Sequence, residues 1–490
     1  MLSTLALLPL AYGLWLVLHR LWWHPLRKIP GPVLAGLTGW WEFYFDVIED
    51  GTLVKRLPKL HRDYQTPVIR TSPNHVHVND PDFYHVVYRS GTPYGKAPHF
   101  YKALIYPEAL ITPMDSKRDR VYRNTIAPLF SPAAIELCTP RIQDVIMNAA
   151  SKIADGLRNN EPLDVQRLYR AISADVIYVT LFGQRDEFVR SYEEDHGLTV
   201  AMDKITHGMW LGMLCALLCC ILPLSPLTPL LPSKQQCASW VSSVRSRLAN
   251  GQMTTSDGIT TIFDAMLTPS EERGYKERTS KELIDEAALF ILAGSDTSAY
   301  SLTTATCYLL TNPDALGKLR VELDEAMEDV RGGRWDEVRK LGYLMAVVKE
   351  TLRLATPVPG ITPRIVPEPG VKVQDYFLPA GDNRIHHAPL NPRHLRPRPI
   401  PHPTKFQPER WLGEKGKVLD RWLVAFSKGS RQCVGSPLAY QELALTIAHI
   451  FSRFEMELYE TDKASMEWVD NVVAVNKEPV RVRVLKDRWA

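Results

Sequence analysis

The 490-residue sequence predicts a mainly α protein with small β-sheets, preceded by one N-terminal transmembrane helix. Three observations carry that prediction. Helical hydrophobic spacing runs through the segments 132–157, 165–181, 234–249, 280–311, 313–330, 341–354 and 436–453. Short alternating stretches read as strands: Val68-Ile69-Arg70, His75-Val76-His77-Val78, Val371-Lys372-Val373, Glu455 to Tyr459 and Val480 to Val484. They do not alternate with the helices in βαβ order, which excludes a doubly wound sheet. The third observation is Leu2 to Leu18, which carries no charged side chain.

That N-terminal run and its Trp-rich continuation are long enough to span a bilayer core, since about 20 residues suffice at ~1.5 Å each. Arg20, Trp22, Trp23, Arg27 and Lys28 follow as aromatic anchors and a positive cluster, which places the C-terminal side in the cytosol. A cleaved signal peptide is the rival reading. It fits less well, because no basic n-region precedes the run and Leu18-His19-Arg20 is too bulky for a cleavage site. Residues 1–20 are therefore the anchor. Residues 21–35 form a basic hinge ending in Pro30-Gly31-Pro32, stiff and non-helical. Residues 36–490 form one globule without linker, repeat or low-complexity block.

Composition narrows the function. Apolar residues make up 45% and charged residues 23%, which excludes wholesale disorder. Lys plus Arg minus Asp plus Glu is 58 − 55 = +3, so charge gives no reason to expect a nucleic-acid partner. The seven cysteines are too few and scattered for a disulfide scaffold and fit a reducing compartment. Gly208 to Leu231 is a second apolar patch, broken by Pro223, Pro226 and Pro229. Being short for a span, it reads as a re-entrant or interfacial surface, and a second transmembrane helix is the alternative. Its Cys215, Cys219 and Cys220 lack a CxxC partner and read as small packing groups.

Chemistry concentrates near the C-terminus, in Phe426-Ser-Lys-Gly429-Ser-Arg431-Gln-Cys433-Val-Gly435. A glycine-punctuated loop delivers Cys433 just before a helix starting near Ser436, where backbone N–H groups and the helix dipole favour a thiolate. A buried structural Cys explains neither the two glycines nor the Arg. A nucleophilic Cys stays open, although no His or Asn stands in a local signature to activate it. In the long helix 280–311, Ala293 and Gly294 are small enough to let a flat cofactor approach, and Asp296 and Thr297 form an acid–alcohol pair. The plain alternative is a Thr bonded back to its own helix beside a solvated Asp. Thr279-x-x-Glu282 is a capping box for this helix, and Asn312-Pro313 ends it.

The Cys loop matches F-x-x-G-x-R-x-C-x-G at every fixed position, and here the chain resembles the cytochrome P-450 family. Glu350-Thr-Leu-Arg353 matches its E-x-x-R helix, Pro408-Glu-Arg410-Trp411 its P-E-R-W segment, and Ala293 to Thr297 its A-G-x-D-T. The four motifs stand in family order over nearly the whole chain. The resemblance implies the cytochrome P-450 fold and a haem-dependent monooxygenase. Cys433 would be the axial thiolate of haem b (iron protoporphyrin IX), whose electron push favours O–O cleavage. Phe426 and Gly429 would shape the loop, and Arg431, Arg123 and Arg364 would meet the propionates. Asp296 and Thr297 would deliver protons, while Glu350, Arg353 and Arg410 would form a structural network behind the haem. Where the family usually has Trp or His four residues before Arg123, this chain has Asp119.

O2 and NADPH-derived electrons would be co-substrates. The electrons would come from a membrane NADPH-dependent cytochrome P-450 reductase, with cytochrome b5 as an optional second donor, because 490 residues leave no room for a flavin domain. The expected place is the endoplasmic reticulum membrane, single-pass, with the catalytic domain cytosolic. Segments such as Trp41 to Asp46 and Asn79 to Tyr84 resemble fungal oxygenases of secondary metabolism. That points to a small apolar substrate of terpenoid or polyketide type. A rival within the fold, isomerisation or dehydration without reductase electrons, is opposed by the intact Asp296-Thr297 pair.

One stretch departs from the family. Asp382 to Ile400 reads DNRIHHAPLNPRHLRPRPI where members usually have an alternating, uncharged strand. His386, His387, His394 and His402 are too irregular in spacing for a metal site. With codons such as GAC AAC CGC ATC CAC, reading one base later gives T-T-A-S-T-T-P-L-L-T-H, which suits the strand. A reading-frame slip is the expectation. If the printed residues are real, the pocket lacks a wall, and a degraded product that anchors without binding haem becomes the second functional reading.

Overall fold

The computed structural model describes residues 2–102, 106, 108–112, 116–184, 188–193, 204, 206, 210, 231–360, 362–386, 400–462 and 464–490. Its elements, in chain order, begin with helix α1 (Leu2–Trp22), the antiparallel strands β1 (Val68–Ser72) and β2 (His75–Val78), and helix α2 (Ser116–Ile126). Then come α3 (Thr139–Asn159), β3 (Leu163–Asp164), α4 (Val165–Phe182), α5 (Leu231–Ala249), α6 (Ser280–Thr311) and α7 (Gly342–Ala355). Short strands β4 (Arg364–Val366), β5 (Val371–Val373), β6 (Tyr376–Leu378) and β7 (Gly381–His386) precede α8 (Ser436–Arg453). The chain closes with β8 (Phe454–Leu458), β9 (Trp468–Asn471), β10 (Val473–Asn476) and β11 (Arg481–Asp487). The protein is mainly helical with small sheets.

α6 is the axis. Its 32 residues make it about 48 Å long. The capping box forms in full: Glu282 N–H donates to Thr279 Oγ1 at 3.3 Å, and Thr279 N–H donates to Glu282 Oε2 at 2.8 Å. α4 lies against α6, and both are buried over most of their length. α3, α7 and α8 pack around this pair, and their apolar faces join one core that includes Ile142, Leu168, Ile177, Leu302, Leu344 and Ile447. Two expected helices are divided. The segment 132–157 breaks at Cys138, because Pro140 at the start of α3 lacks the N–H to continue the turn before it. The segment 313–330 breaks at Ala326 into Pro313–Glu325 and Met327–Arg331.

The sheets join distant parts of the chain. β7 lies between β2 and β4 in a sheet of order β1-β2-β7-β4, parallel to β2 with His75 opposite Arg384 and antiparallel to β4. A strand therefore forms at 381–386 despite the unusual Asp-Asn-Arg. A backbone ladder is held by main-chain groups whatever the side-chain type, and Ile385 supplies a fully buried apolar side chain. Residues 387–399, including His387 and His394, lie outside the described residues.

α1 is one helix of 21 residues. Among the described residues, no helix is long and apolar enough to cross a membrane. The expected transmembrane helix is thus met as a helix and not as a span. The charge-free stretch ends at Leu18, and His19 and Arg20 occupy the last turn, where the Arg20 guanidinium donates to the Leu37 carbonyl of the domain. In the hinge, Pro30 O accepts the Arg70 N–H at 2.8 Å, which ties the Pro-Gly-Pro segment to β1. The apolar patch 208–231, with Cys215, Cys219 and Cys220, lies outside the described residues except for Trp210 and Leu231.

Candidate active site

The loop Phe426–Gly435 is shaped by one backbone clasp and one left-handed glycine. Cys433 N–H donates to Phe426 O at 2.9 Å, closing the loop on itself. Gly429 has φ +74°, and a Cβ there would stand 2.3 Å from the Tyr88 carbonyl oxygen, so only glycine fits. α8 then begins at Ser436. Cys433 keeps surface open to solvent, yet protein packed around the sulfur raises its thiol above the usual value by burial. The N–H groups of Gly435 and Ser436 and the charge of Arg123 work against that rise, as they would for a thiolate.

The middle of α6 keeps exposure at a few positions although most of the helix is buried. Phe290, Ala293, Gly294 and Thr297 keep exposure while Ile291, Leu292, Ser295, Asp296 and Ser298 are buried. Their spacing is that of one helical stripe opening onto a cleft. Thr297 Oγ1 donates to Ala293 O at 2.8 Å, the back-bonded state in which its proton is engaged within the helix. Asp296 is not a solvated face. It is 6% exposed, and it accepts from Arg170 Nε at 2.6 Å and from Thr206 Oγ1 at 2.9 Å. Gly294 corrects the sequence expectation: its missing side chain makes room for α4, because a Cβ would stand 2.8 Å from Ile177 Cγ1.

The arginines fall into two groups. Arg123, on α2, donates to the Gln432 carbonyl beside the Cys and so steadies that loop. Arg364 is 5% exposed, sits 5.0 Å over the Tyr88 ring, and has two buried nitrogens, Nε and Nη1, without a hydrogen-bond partner. Arg364 and Arg431 both act on the hydroxyl of Tyr101, which burial alone would push higher. Two guanidinium groups thus act on one buried hydroxyl, and Arg364 has unspent donors. A buried donor left unpaired is costly, and a carboxylate is the partner such donors fit best. The residues present accordingly fit a flat group with a sulfur-ligated metal on one face and acidic arms at its edge. The side chain of Asp119 lies outside the described residues.

Glu350, Arg353 and Arg410 come together. Arg353 donates to both Glu350 oxygens at 2.8 Å, and Arg410 Nε donates to Oε1 at 3.1 Å. Trp411 Nε1–H donates to Oε2 at 2.9 Å and the Gln407 N–H to Oε1 at 2.8 Å, and Glu350 is 0% exposed. Arg353 continues to the carbonyls of Pro403 at 2.6 Å and Lys405 at 3.1 Å. Sequence reasoning missed Trp411's part here and Arg170's part at Asp296. A signal existed for Arg170, a charge on a helix whose remaining residues are nearly all buried.

A family model described as cytochrome P-450 matches residues 36–484. The chain is 39% identical over 482 residues to the cytochrome P-450 monooxygenase phqM of Penicillium fellutanum, covering 95% of this chain and 88% of that one. It is 34% identical to the cytochrome P-450 monooxygenase aneF of Aspergillus aculeatus, over 96% of this chain and 97% of that one. It is also 35% identical to an inactive cytochrome P-450 monooxygenase cloA of Claviceps fusiformis, over 96% and 93%.

Proposed function

The chain belongs to the cytochrome P-450 family of haem-dependent monooxygenases, and from that premise we propose that it is a membrane-anchored enzyme. It would insert oxygen from O2 into a small apolar substrate, a terpenoid or polyketide intermediate of fungal secondary metabolism. The family's need for haem iron, a redox partner and a substrate follows from membership. The observation that carries the reading is the Cys433 sulfur, set under two backbone N–H groups with Arg123 beside it.

When bound, haem b would supply the oxidising chemistry, held through Cys433 and through Arg364, Arg431 and Arg123 at its acidic edge. The chain's own work is then binding, orientation and proton placement. The stripe Phe290, Ala293 and Thr297 would seat the substrate. The hydrogen on Thr297 Oγ1 would leave Ala293 O to serve the cleft, and Asp296, held by Arg170 and Thr206, would sit at the head of the route that restores it. Glu350, Arg353 and Arg410 would keep the segment 401–411 in place behind the haem.

Electrons would arrive from an NADPH-dependent cytochrome P-450 reductase, with cytochrome b5 as an alternative. A hollow of about 380 Å³ lies beside the Cys loop, and its lining includes Lys428 as well as Lys349, which is paired with Asp420 at 2.8 Å, so Lys428 is the cation there that supports docking of an acidic partner. Membrane attachment, at the endoplasmic reticulum with the domain in the cytosol, has two supports. One is the charge-free Leu2 to Leu18; the other is the exposure of Trp22, Trp23, Val33, Leu34, Trp40 and Ile48 just after it.

The test is the carbon monoxide difference spectrum of the reduced protein beside Cys433→Ser. A red-shifted Soret band in the parent alone is expected; its absence from folded parent protein would overturn the assignment. A second reading, a haem-free product of a misread gene, draws on the residues 387–399 and on the inactive relative. Sequencing the transcript separates its two forms: an in-frame messenger for the printed residues removes the misread gene, and the haem content of the full-length protein then decides between enzyme and degraded product.

A further inference from the structure

Residues 1–41 contain Arg20, Arg27 and Lys28 and no Asp or Glu. Arg20, in the last turn of α1, gives an N–H to the Leu37 carbonyl, and Arg27 Nη1 donates to the Trp22 carbonyl at 2.5 Å. Close to Arg20 is Arg70 of β1, which is 5% exposed. Its Nε and Nη2 donate to the Pro73 carbonyl at 3.2 and 2.9 Å. All three arginines thus bond to carbonyl groups, which carry no net charge. Among the described residues, neither they nor Lys28 form an ion pair.

The neighbouring groups respond to this excess of positive charge. His24 Nε2 meets Asn74 Oδ1 at 3.0 Å, and its Nδ1 accepts the Leu26 N–H at 3.1 Å, an arrangement for a neutral ring. Burial lowers His24 to about 4, and the charges of Arg70, His19 and Arg20 push the same way against the Asn74 bond. Arg70 is itself lowered to about 10, by burial first and then by the charge of Arg20. No carboxylate offsets either shift. Glu42, the first acid in the chain, is taken up by His75 at 2.9 Å.

A buried guanidinium without a counter-charge is costly, so an anion belongs at this junction. Its rim narrows the kind of anion. Leu21, Trp22, Trp23, Val33, Leu34 and Trp40 are 40–69% exposed around the basic residues. A soluble anion or a nucleic acid would leave that apolar surface in water. Tryptophan and basic side chains together fit the level of lipid headgroups, where charge is attached to apolar chains. A phosphate has enough acceptor oxygens to meet several separate N–H donors at once.

We propose that the foot of α1 binds the phosphate of an anionic phospholipid, held by Arg20, Arg27 and Lys28 and favoured by the buried charge of Arg70. The inference rests on the membrane-anchored reading above and adds a preference among lipids to it.

Electron paramagnetic resonance of spin-labelled lipids tests it on the full-length haem-loaded protein, reconstituted in phosphatidylcholine vesicles. The probes are phosphatidic acid and phosphatidylcholine carrying the same label on one acyl chain, each in trace amount. The fraction of label immobilised by the protein measures association. At low salt the parent should hold phosphatidic acid at least about threefold better than phosphatidylcholine. Raised salt should shrink that ratio, because it screens exposed charges. Arg27→Gln/Lys28→Gln, at two exposed positions, should bring it to about 1.5-fold or less with the phosphatidylcholine fraction unchanged, and Arg20→Gln should lower it part way. Equal association of both lipids with the parent overturns the proposal, and so does a ratio that persists in the double variant. Loss of the preference on adding glycerol 3-phosphate also overturns it, since the ligand would then be a soluble phosphate ester. Immobilised but unselective label sinks this proposal alone; no immobilised label of either kind sinks membrane attachment and this proposal with it.

Discussion

Arg170 and Asp296 form an ion pair, Nε to Oδ1 at 2.6 Å, that joins α4 to the middle of α6. The carboxylate side chain is 5% exposed and the guanidinium 18%, so water screens the pair only weakly. Its members lie 126 positions apart, and Thr206 approaches the same carboxylate from a third segment.

Removing the cation should therefore strand a buried acid. Arg170→Met is expected to lower unfolding free energy by ~3–5 kcal/mol, the usual penalty for breaking a buried pair from one side. The double variant Arg170→Met/Asp296→Asn should regain part of the stability. Urea melts of the parent, the single and the double variant read the effect; a folded Arg170→Met as stable as the parent would refute the coupling.

Glu350 is the hub of its network, with two arginines, an indole N–H and a backbone N–H on one carboxylate. Glu350→Ala should cost ~3–5 kcal/mol and release haem, because two guanidinium groups lose their counter-charge together. Arg353→Lys should fail similarly, since an ammonium cannot reproduce the two-pronged contact. Haem content per folded protein is the measurement, and parent-like content in either variant would sink the assignment.

Gly294→Ala sets two effects against each other. A helix gains about 1 kcal/mol from Ala over Gly. Overpacking against Ile177 should cost ~1–3 kcal/mol, since the new Cβ would stand 2.8 Å from Cγ1. The net expectation is a lowered thermal midpoint. A midpoint raised by Gly294→Ala alone would show that α4 gives way freely.

Glu442, buried on α8, is raised to about 7 by burial, against hydrogen bonds from Ser173 and Ser298. The unfolded chain releases this proton near the ordinary 4.5 and the folded one holds it to about 7. Stability from Glu442 is therefore full below 4.5 and is lost as pH rises through about 7, by at most about 3 kcal/mol. His61 and His449, lowered by burial to about 4, act oppositely, giving full stability above 6.5 and losing it down to about 4. Gln keeps the neutral shape, so Glu442→Gln should gain stability relative to the parent between pH 5 and pH 8. Parallel urea-melt curves for the two proteins would rule this out.

What the sequence made legible follows the range of the forces involved. The α6 capping box could be read because Thr279 and Glu282 are three residues apart and act on each other's backbone. The Cys loop could be read because its clasp spans seven residues, Cys433 to Phe426. Arg170 with Asp296 and Gly294 with Ile177 could not, since each depends on which helix faces which across the core. Small size at Gly294 pointed correctly to close approach but carried no information about the approaching partner. In the stretch after Gly381, side-chain pattern misled, because a central strand is held by backbone pairing with two neighbours.

The placement of β7 between β2 and β4 has a consequence during synthesis. His75 pairs with Arg384, a separation of 384 − 75 = 309 residues. At ~5–20 residues per second, the ribosome needs about 15–60 s after making β2 before its partner emerges. Throughout that interval β1 and β2 form a hairpin with an open edge, the kind that recruits other chains. Folding of the N-terminal part must therefore wait for the C-terminal half, and a polypeptide stopped anywhere before Gly381 would leave the ribosome with that edge unprotected.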